Sequence, residues 1–230
     1  MSLKFTILGC GYSLGVPRID GYFGSCDPMN KKNYRTRCSA IITSKKRSIL
    51  IDTSPDMKTQ LYKNKIKNID NVFYTHEHAD QTHGINDLRT FYINRRKRIP
   101  VFADLFTMKY LKKTFSYCFN NDFDYPATLK LKKIRKLNKF RENGTNLSIR
   151  AIPVQHGNIK CQSYIINSKC AYASDVNFIY KKDINNFKNL KFLVIDCLRI
   201  NPHPSHFNLE EVLSLSTIIK PGKTILTNLH

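Results

Sequence analysis

The chain has 230 residues, 41% of them hydrophobic, with 38 Lys and Arg against 17 Asp and Glu for a formal net charge of +21. That length suits one domain with a sizeable core. No apolar run reaches the roughly 18 residues of a membrane span, and the seven scattered cysteines form no CxxC pair, which argues against a disulfide framework or a cysteine-built zinc knuckle.

The N-terminus, MSLKFTILGCGYS, runs straight into a short apolar stretch with no signal-peptide pattern, so a soluble cytoplasmic protein is expected. Most of the cysteines are expected to be small buried residues. The charge has two readings of equal weight. One is an anionic partner, nucleic acid included. The other is a basic solvated surface that follows from a Lys- and Asn-rich composition.

In chain order, residues 4–8 (KFTIL) read as a strand followed by a Gly-rich loop. Pro17 and further loop residues follow where a phosphate-binding loop would open a helix, so no nucleotide site is read there. Residues 38–43 and 48–52 read as a hairpin, and Pro55 opens a short helix with Ser54 as N-cap. Residues 71–75 (NVFYT) form a strand that ends just before His76, residues 84–97 a helix, 99–103 a strand and 104–117 a helix. Residues 129–141 carry seven Lys or Arg among alternating apolar residues. Strands follow at LSIRAIPV, CQSYII, KCAYAS and FLVID (192–196), then a helix in HFNLEEVLSLSTII and a last strand over 223–230. Paired strands first, then strands alternating with helices, suggest two sheets with helices packed outside them.

The histidines carry the functional signal. His76 and His78 lie at i and i+2 beyond a strand, and Asp80 continues the spacing if the chain stays extended. His156, Asp175, His203, His206 and His230 each lie beside a later strand end. With His83 close behind His78, all seven histidines fall in these places, and His with Asp suits zinc, manganese or iron.

The stretch THEHADQTHG resembles the HxHxDH signature of the metallo-β-lactamase superfamily. GCGYSLGVPR and ILIDTSPD before it, and PVQHG, YASDVN and PHPSHFNLEE after it, occur in the order that family uses. Within it the chain is similar to the PhnP-like hydrolases, which include the phosphodiesterase acting on 5-phosphoribosyl 1,2-cyclic phosphate; the transfer-RNA 3′-processing nucleases are more distant. The resemblance implies an α/β fold, the metallo-β-lactamase αββα four-layer sandwich of two mixed sheets flanked by helices. It implies a single domain over 1–230, with a C-terminus that stops where relatives usually continue, as a truncated sequence would.

It also implies a ligand set. His76, His78 and His156 would hold one metal, Asp80 a second, and Asp175 would bridge the two. His206 would be the general acid, so that Asp80 and His206 carry the catalytic roles. The cofactors implied are two divalent ions, zinc or manganese, and the substrate a small phosphodiester, with a metal-dependent nuclease of the transfer-RNA 3′-processing type as the alternative and homodimerisation as a further expectation. Asp52 is read either as support for a ligand or as a strand-end cap.

Two departures stand out. Position 81 carries Gln81 where the family has a second histidine, so the second metal is expected to bind weakly through a neutral carbonyl or not at all. The family's last ligand lies in an LTH-like motif, whereas this chain has Leu226, Thr227 and Asn228. His230 is favoured over Asn228 because period two puts both on one side of a strand. His83 is read as a loop or helix-entry residue. With only Cys26 in the loop near residues 20–27, no structural zinc is expected there.

Overall fold

A computed structural model describes residues 3–121, 125–142 and 145–230. The chain divides into two compact units, Met1–Gly9 with Tyr34–Ile134 and Cys10–Asn33 with Arg135–His230.

The first unit is built on a six-stranded mixed sheet. β1 (Lys4–Gly9), β2 (Ser39–Thr43) and β3 (Ser48–Ile51) pair antiparallel, as the hairpin pattern predicts. From β3 the sheet continues parallel through β4 (Asn71–Phe73), β5 (Ile99–Ala103) and β6 (Leu129–Lys133). Parallel strands need crossovers, and these carry the helices. α1 (Met57–Lys63) joins β3 to β4, while α2 (Ala79–Thr82) and α3 (Arg89–Arg95) join β4 to β5. α4 (Leu105–Thr114) and α5 (Ser116–Phe119) join β5 to β6. β3 and β4 are almost wholly apolar and buried, as parallel strands covered on both faces must be. Ile41, Leu50, Val72, Tyr74, Leu88 and Val101 belong to the core of this unit.

The second unit has its own six-stranded sheet, in the order β12-β11-β10-β9-β8-β7. β7 (Leu137–Glu142), β8 (Thr145–His156), β9 (Ile159–Ile166) and β10 (Cys170–Ala173) pair antiparallel. β11 (Phe192–Asp196) and β12 (Thr224–Thr227) then add parallel to β10. α6 (Leu209–Ile219) returns the chain between the last two. Its start is fixed by a capping box: the Asn208 side chain accepts from the Glu211 backbone N–H, and the Glu211 carboxylate accepts from the Asn208 N–H. Ile152, Val154, Ile165, Leu193, Ile195 and Val212 belong to the core of this unit. Two mixed sheets with helices joining their parallel strands are what the resemblance implies.

Three local readings differ. Ser54 does not cap α1: the helix begins at Met57 after Asp56, and the Ser54 hydroxyl instead accepts from the Asp56 N–H in a turn. The predicted helix over 84–97 is a 3₁₀ turn at Ile85–Leu88 that passes into α3. The predicted last strand stops at Thr227, because Asn228 turns the backbone into the left-handed region at φ 61°. The basic tract 129–141 contributes β6 and β7, each at the edge of its sheet. Lysines on an edge strand keep other strands from adding to it, which accounts for much of this charge without a ligand. Five of the seven cysteines are buried, as expected. Burial pushes Cys118, Cys170 and Cys197 up to about 11, so these three are thiols at neutral pH and not nucleophiles. Among the described residues no helix is long and apolar enough to cross a membrane.

Gly84 fixes how the histidine-rich segment seats on the first unit. A Cβ there would lie 2.2 Å from the Ser54 carbonyl oxygen, and the Gly84 N–H donates to the Thr53 carbonyl at 2.9 Å. Backbone cannot yield as a flexible side chain can. Gly84→Ala should therefore destabilise by at least about 2 kcal/mol, roughly 4 °C or more in Tm by calorimetry.

Candidate metal centre

In both units, acids and histidines gather at the carboxyl ends of the parallel strands, where ligand sites of α/β sheets lie. In the first unit these are Asp52 after β3, His76 and His78 after β4, and Asp104 after β5. In the second they are Asp175 after β10, Asp196 ending β11 and Asn228 after β12, with His156 ending β8.

His76 is buried, and its ring meets that of His78 edge-on with centroids 4.5 Å apart. A hydrogen-bond relay sets its tautomer. The buried Asp52 carboxylate accepts from the Thr75 backbone N–H at 2.7 Å and from the Thr75 hydroxyl at 2.9 Å. With its proton committed to Asp52, that hydroxyl can only accept from His76 Nδ1, 3.0 Å away. Nδ1 then carries the hydrogen and Nε2 the lone pair, the form a metal needs. Asp52 thus supports a candidate ligand through Thr75, a residue that sequence reasoning passed over.

Asp80 is not reached by extension of the strand. α2 opens at Ala79, with the Gln81 N–H donating to the His78 carbonyl at 3.1 Å, so Asp80 is placed by the first turn of a helix. Gln81 is buried, and its Nε2 donates to Asp80 Oδ2 at 2.9 Å. His83 ends the same helix, with Nδ1 3.1 Å from the Ala79 carbonyl oxygen and its ring against Phe115.

In the second unit, His156, Asp175 and His206 each offer a ligand atom, all within 4.8 Å of one another. His156 Nδ1 lies 2.7 Å from the Ser205 carbonyl oxygen. A carbonyl only accepts, so Nδ1 is the donor and Nε2 again holds the lone pair. The loop that carries Ser205 and His206 is pinned along its length. Arg199 donates to the Asn201 and Pro202 carbonyls, and Asn177 to the Pro204 carbonyl. Gly157, at φ 55°, lets Ser205 approach where a Cβ would meet the serine Cβ at 2.9 Å.

His206 Nδ1 lies 2.6 Å from Oδ2 of the buried Asp196, which also accepts the Val176 N–H at 2.9 Å. Burial, and after it the charge of Asp175, push the Asp196 carboxyl well above its usual range. The short contact engages His206 through Nδ1, which leaves Nε2 as the working end of the ring. Sequence reading marked Asp196 only as the end of a strand. The signal was the likeness of FLVID to ILID, two apolar strands each closed by a buried acid.

Asn228, not His230, stands beside Asp175 and His206. Its Nδ2 is 3.0 Å from Asp175 Oδ1 and 3.2 Å from His206 Nδ1. The period-two argument for His230 ends with the strand at Thr227. His230 is exposed, and its ring lies tilted against that of Tyr12 with centroids 4.3 Å apart, near Gly24. Burial, then the charges of Arg199 and Arg18, lower its pKa. His203 packs beside His206, ring centroids 5.1 Å apart, with Nδ1 toward the Ser205 N–H and hydroxyl.

A family model, the β-lactamase superfamily domain, matches residues 47–228. The chain belongs to the metallo-β-lactamase superfamily. Among solved structures, this superfamily member is similar to a diphosphatase of the PhnP family, at 29% identity and a TM-score of 0.85 over 99% of this chain and 87% of that one. Zinc-bound PqqB from Methylobacterium extorquens (16% identical, TM-score 0.77, 99% and 89% of the two chains) shares the fold. So does the short form of human tRNase Z (14%, 0.71, 98% and 92%). Among curated proteins, the octanoyltransferase of Porphyromonas gingivalis is 30% identical over 231 residues, 99% of this chain and 46% of that protein. The chain thus spans about half the length of that relative. The chain has the metallo-β-lactamase fold, with His and Asp groups that could hold a divalent ion.

Two variants test the support of the histidines. Thr75→Val keeps the shape but removes the relay to His76, and should weaken metal affinity by about 10-fold or more in titration calorimetry. Asp196→Asn turns an amide N–H toward His206 Nδ1, which favours the neutral tautomer protonated on Nε2. It should lower kcat by about 10²-fold or more while shifting Tm little.

Proposed function

We propose that this protein is a metal-dependent hydrolase that cleaves phosphodiesters, with a small cyclic phosphate such as 5-phosphoribosyl 1,2-cyclic phosphate as the substrate class. The observation that carries the proposal is the pairing of His206 with Asp196 beside His156 and Asp175 in the second unit. A histidine backed by a buried acid is suited to hand a proton from Nε2 to a departing alkoxide. Similarity to a PhnP-family diphosphatase over 99% of the chain supports phosphorus chemistry.

In this reading the metal ligands, suited to zinc or manganese, are His76, His78 and Asp80 in the first unit and His156 and Asp175 in the second. The ion would supply a hydroxide at neutral pH and offset charge on the phosphoryl oxygens. The chain's own residues orient it: Thr75 and Asp52 fix His76, and the Ser205 carbonyl fixes His156. His206 delivers the proton. Octanoyl transfer is not carried over, since more than half of that relative lies outside the match.

A second reading is a nuclease of the transfer-RNA 3′-processing type. It is favoured by the exposed lysines of β6, Lys130, Lys132 and Lys133. Phosphate contacts of that kind weaken steeply with salt.

The test is hydrolysis of 5-phosphoribosyl 1,2-cyclic phosphate by manganese-loaded protein, with His206→Ala beside it. Wild-type turnover that falls by about 10²–10⁴-fold in the variant is the expected result. No turnover from metal-loaded wild type, together with salt-sensitive cleavage of a transfer-RNA precursor, would replace this reading with the nuclease.

A further inference from the structure

One residue of the second unit sets two imidazoles in opposite senses. The Ser205 carbonyl accepts from His156 Nδ1 at 2.7 Å, which leaves the lone pair of that ring at Nε2. The Ser205 N–H serves the other ring: it donates to His203 Nδ1 at 3.3 Å, with the serine hydroxyl 3.2 Å from the same nitrogen. A backbone N–H can only donate, so Nδ1 of His203 keeps its lone pair and the ring hydrogen sits on Nε2. His203 is thus a neutral donor where His156 offers a lone pair. Among the described residues nothing accepts from that Nε2–H, and the ring is only half-buried. It packs beside His206, centroids 5.1 Å apart. The backbone that carries it is stiff, because Pro202 and Pro204 flank it. The carbonyls of both prolines are held, that of Pro202 by Arg199 and that of Pro204 by Asn177.

We propose that His203 is a substrate-binding residue that donates its Nε2–H to a non-bridging phosphoryl oxygen, beside the oxygen that His206 protonates. The inference rests on the phosphodiesterase reading and adds to it the residue that seats the phosphate on the second unit. The chemistry suits the place. A lysine or arginine so close to His206 would disfavour the protonated imidazole that a general acid needs, whereas a neutral donor binds the oxygen and leaves that proton in place. A donor whose ring and backbone are already fixed also loses little freedom when the substrate arrives. Arg199 is not the group for this task, since its guanidinium is committed to the Asn201 and Pro202 carbonyls.

The test compares wild type with His203→Leu, which removes the donor, and His203→Gln, whose amide nitrogen can stand where Nε2 stood. Steady-state kinetics on 5-phosphoribosyl 1,2-cyclic phosphate are read beside titration calorimetry of inorganic phosphate into the metal-loaded protein. His203→Leu should raise KM and the phosphate Kd by about 10-fold or more with kcat within about 3-fold of wild type, and His203→Gln should recover most of both. Heteronuclear NMR of the histidine ring nitrogens in zinc-loaded wild type should show His203 protonated on Nε2, with that resonance shifting as phosphate is added. This readout does not depend on any variant folding. Unchanged KM and Kd in His203→Leu, a kcat loss at unchanged KM, or a Gln variant as impaired as the Leu variant would overturn the proposal. So would a ring protonated on Nδ1, or a wild type that binds no phosphate. A wild type that binds phosphate through His203 yet does not turn over the diester would overturn the phosphodiesterase reading alone and leave His203 as a phosphate donor.

Discussion

What the site depends on is the choice between the two nitrogens of an imidazole. A histidine is a ligand or a proton donor only when one nitrogen is committed elsewhere, and in this protein the commitment falls on Nδ1 each time. Thr75 takes it at His76, the Ser205 carbonyl at His156 and Asp196 at His206. The three anchors differ in kind, and so do the roles they suit. A hydroxyl or a carbonyl leaves a neutral ring with a lone pair at Nε2, fit for a cation. A buried carboxylate stabilises a second proton on the ring, fit for an acid.

The backbone supports this choice. Each sheet pairs its strands antiparallel on one side and parallel on the other, and the acids and imidazoles follow the parallel strands, His156 excepted, which ends the antiparallel β8. Asp52 follows β3, where the sheet changes from antiparallel to parallel, and Asp196 ends β11 between two parallel neighbours; both are fully buried, and a buried carboxylate must find donors. Asp52 finds them in Thr75, and Asp196 in Val176 and His206. Two glycines allow the loops to come close enough. Gly84 seats the histidine-rich turn against Ser54, and Gly157 seats Ser205 against the end of β8.

Much of this was legible in the sequence. Strand and helix periods located nearly every element, histidines beside strand ends drew attention to the site, and the resemblance to the family's signature singled out His76, His78, His156 and His206. What failed did so where a period was carried past the element that sustains it. Asp80 was reached by strand spacing, yet a helix begins at Ala79. His230 was preferred to Asn228 by the same spacing, yet the strand stops at Thr227 and Asn228 is left-handed. Both errors come from local backbone choices that hydrogen bonding across the fold decides. Thr75 left no trace because a relay through a hydroxyl has no spacing of its own. The basic tract of 129–141 was weighed as a binding surface, and its place on two sheet edges shows a structural use for its charge.

The bridge between Gly11 and Leu229, with the Tyr12 N–H donating to the Leu229 carbonyl at 3.2 Å, has a consequence for the order of folding. The first unit has its whole sheet once β6 has been made. The segment Cys10–Asn33 interrupts that unit, yet it belongs to the second and pairs with residues next to β12. During synthesis it must therefore wait as an open loop, held at both ends by a sheet already formed, until the partner strand emerges. Loop closure costs entropy only logarithmically in length, so the wait is tolerated. Until residues next to β12 emerge, the loop that meets His230 lacks this pairing and is open to a protease.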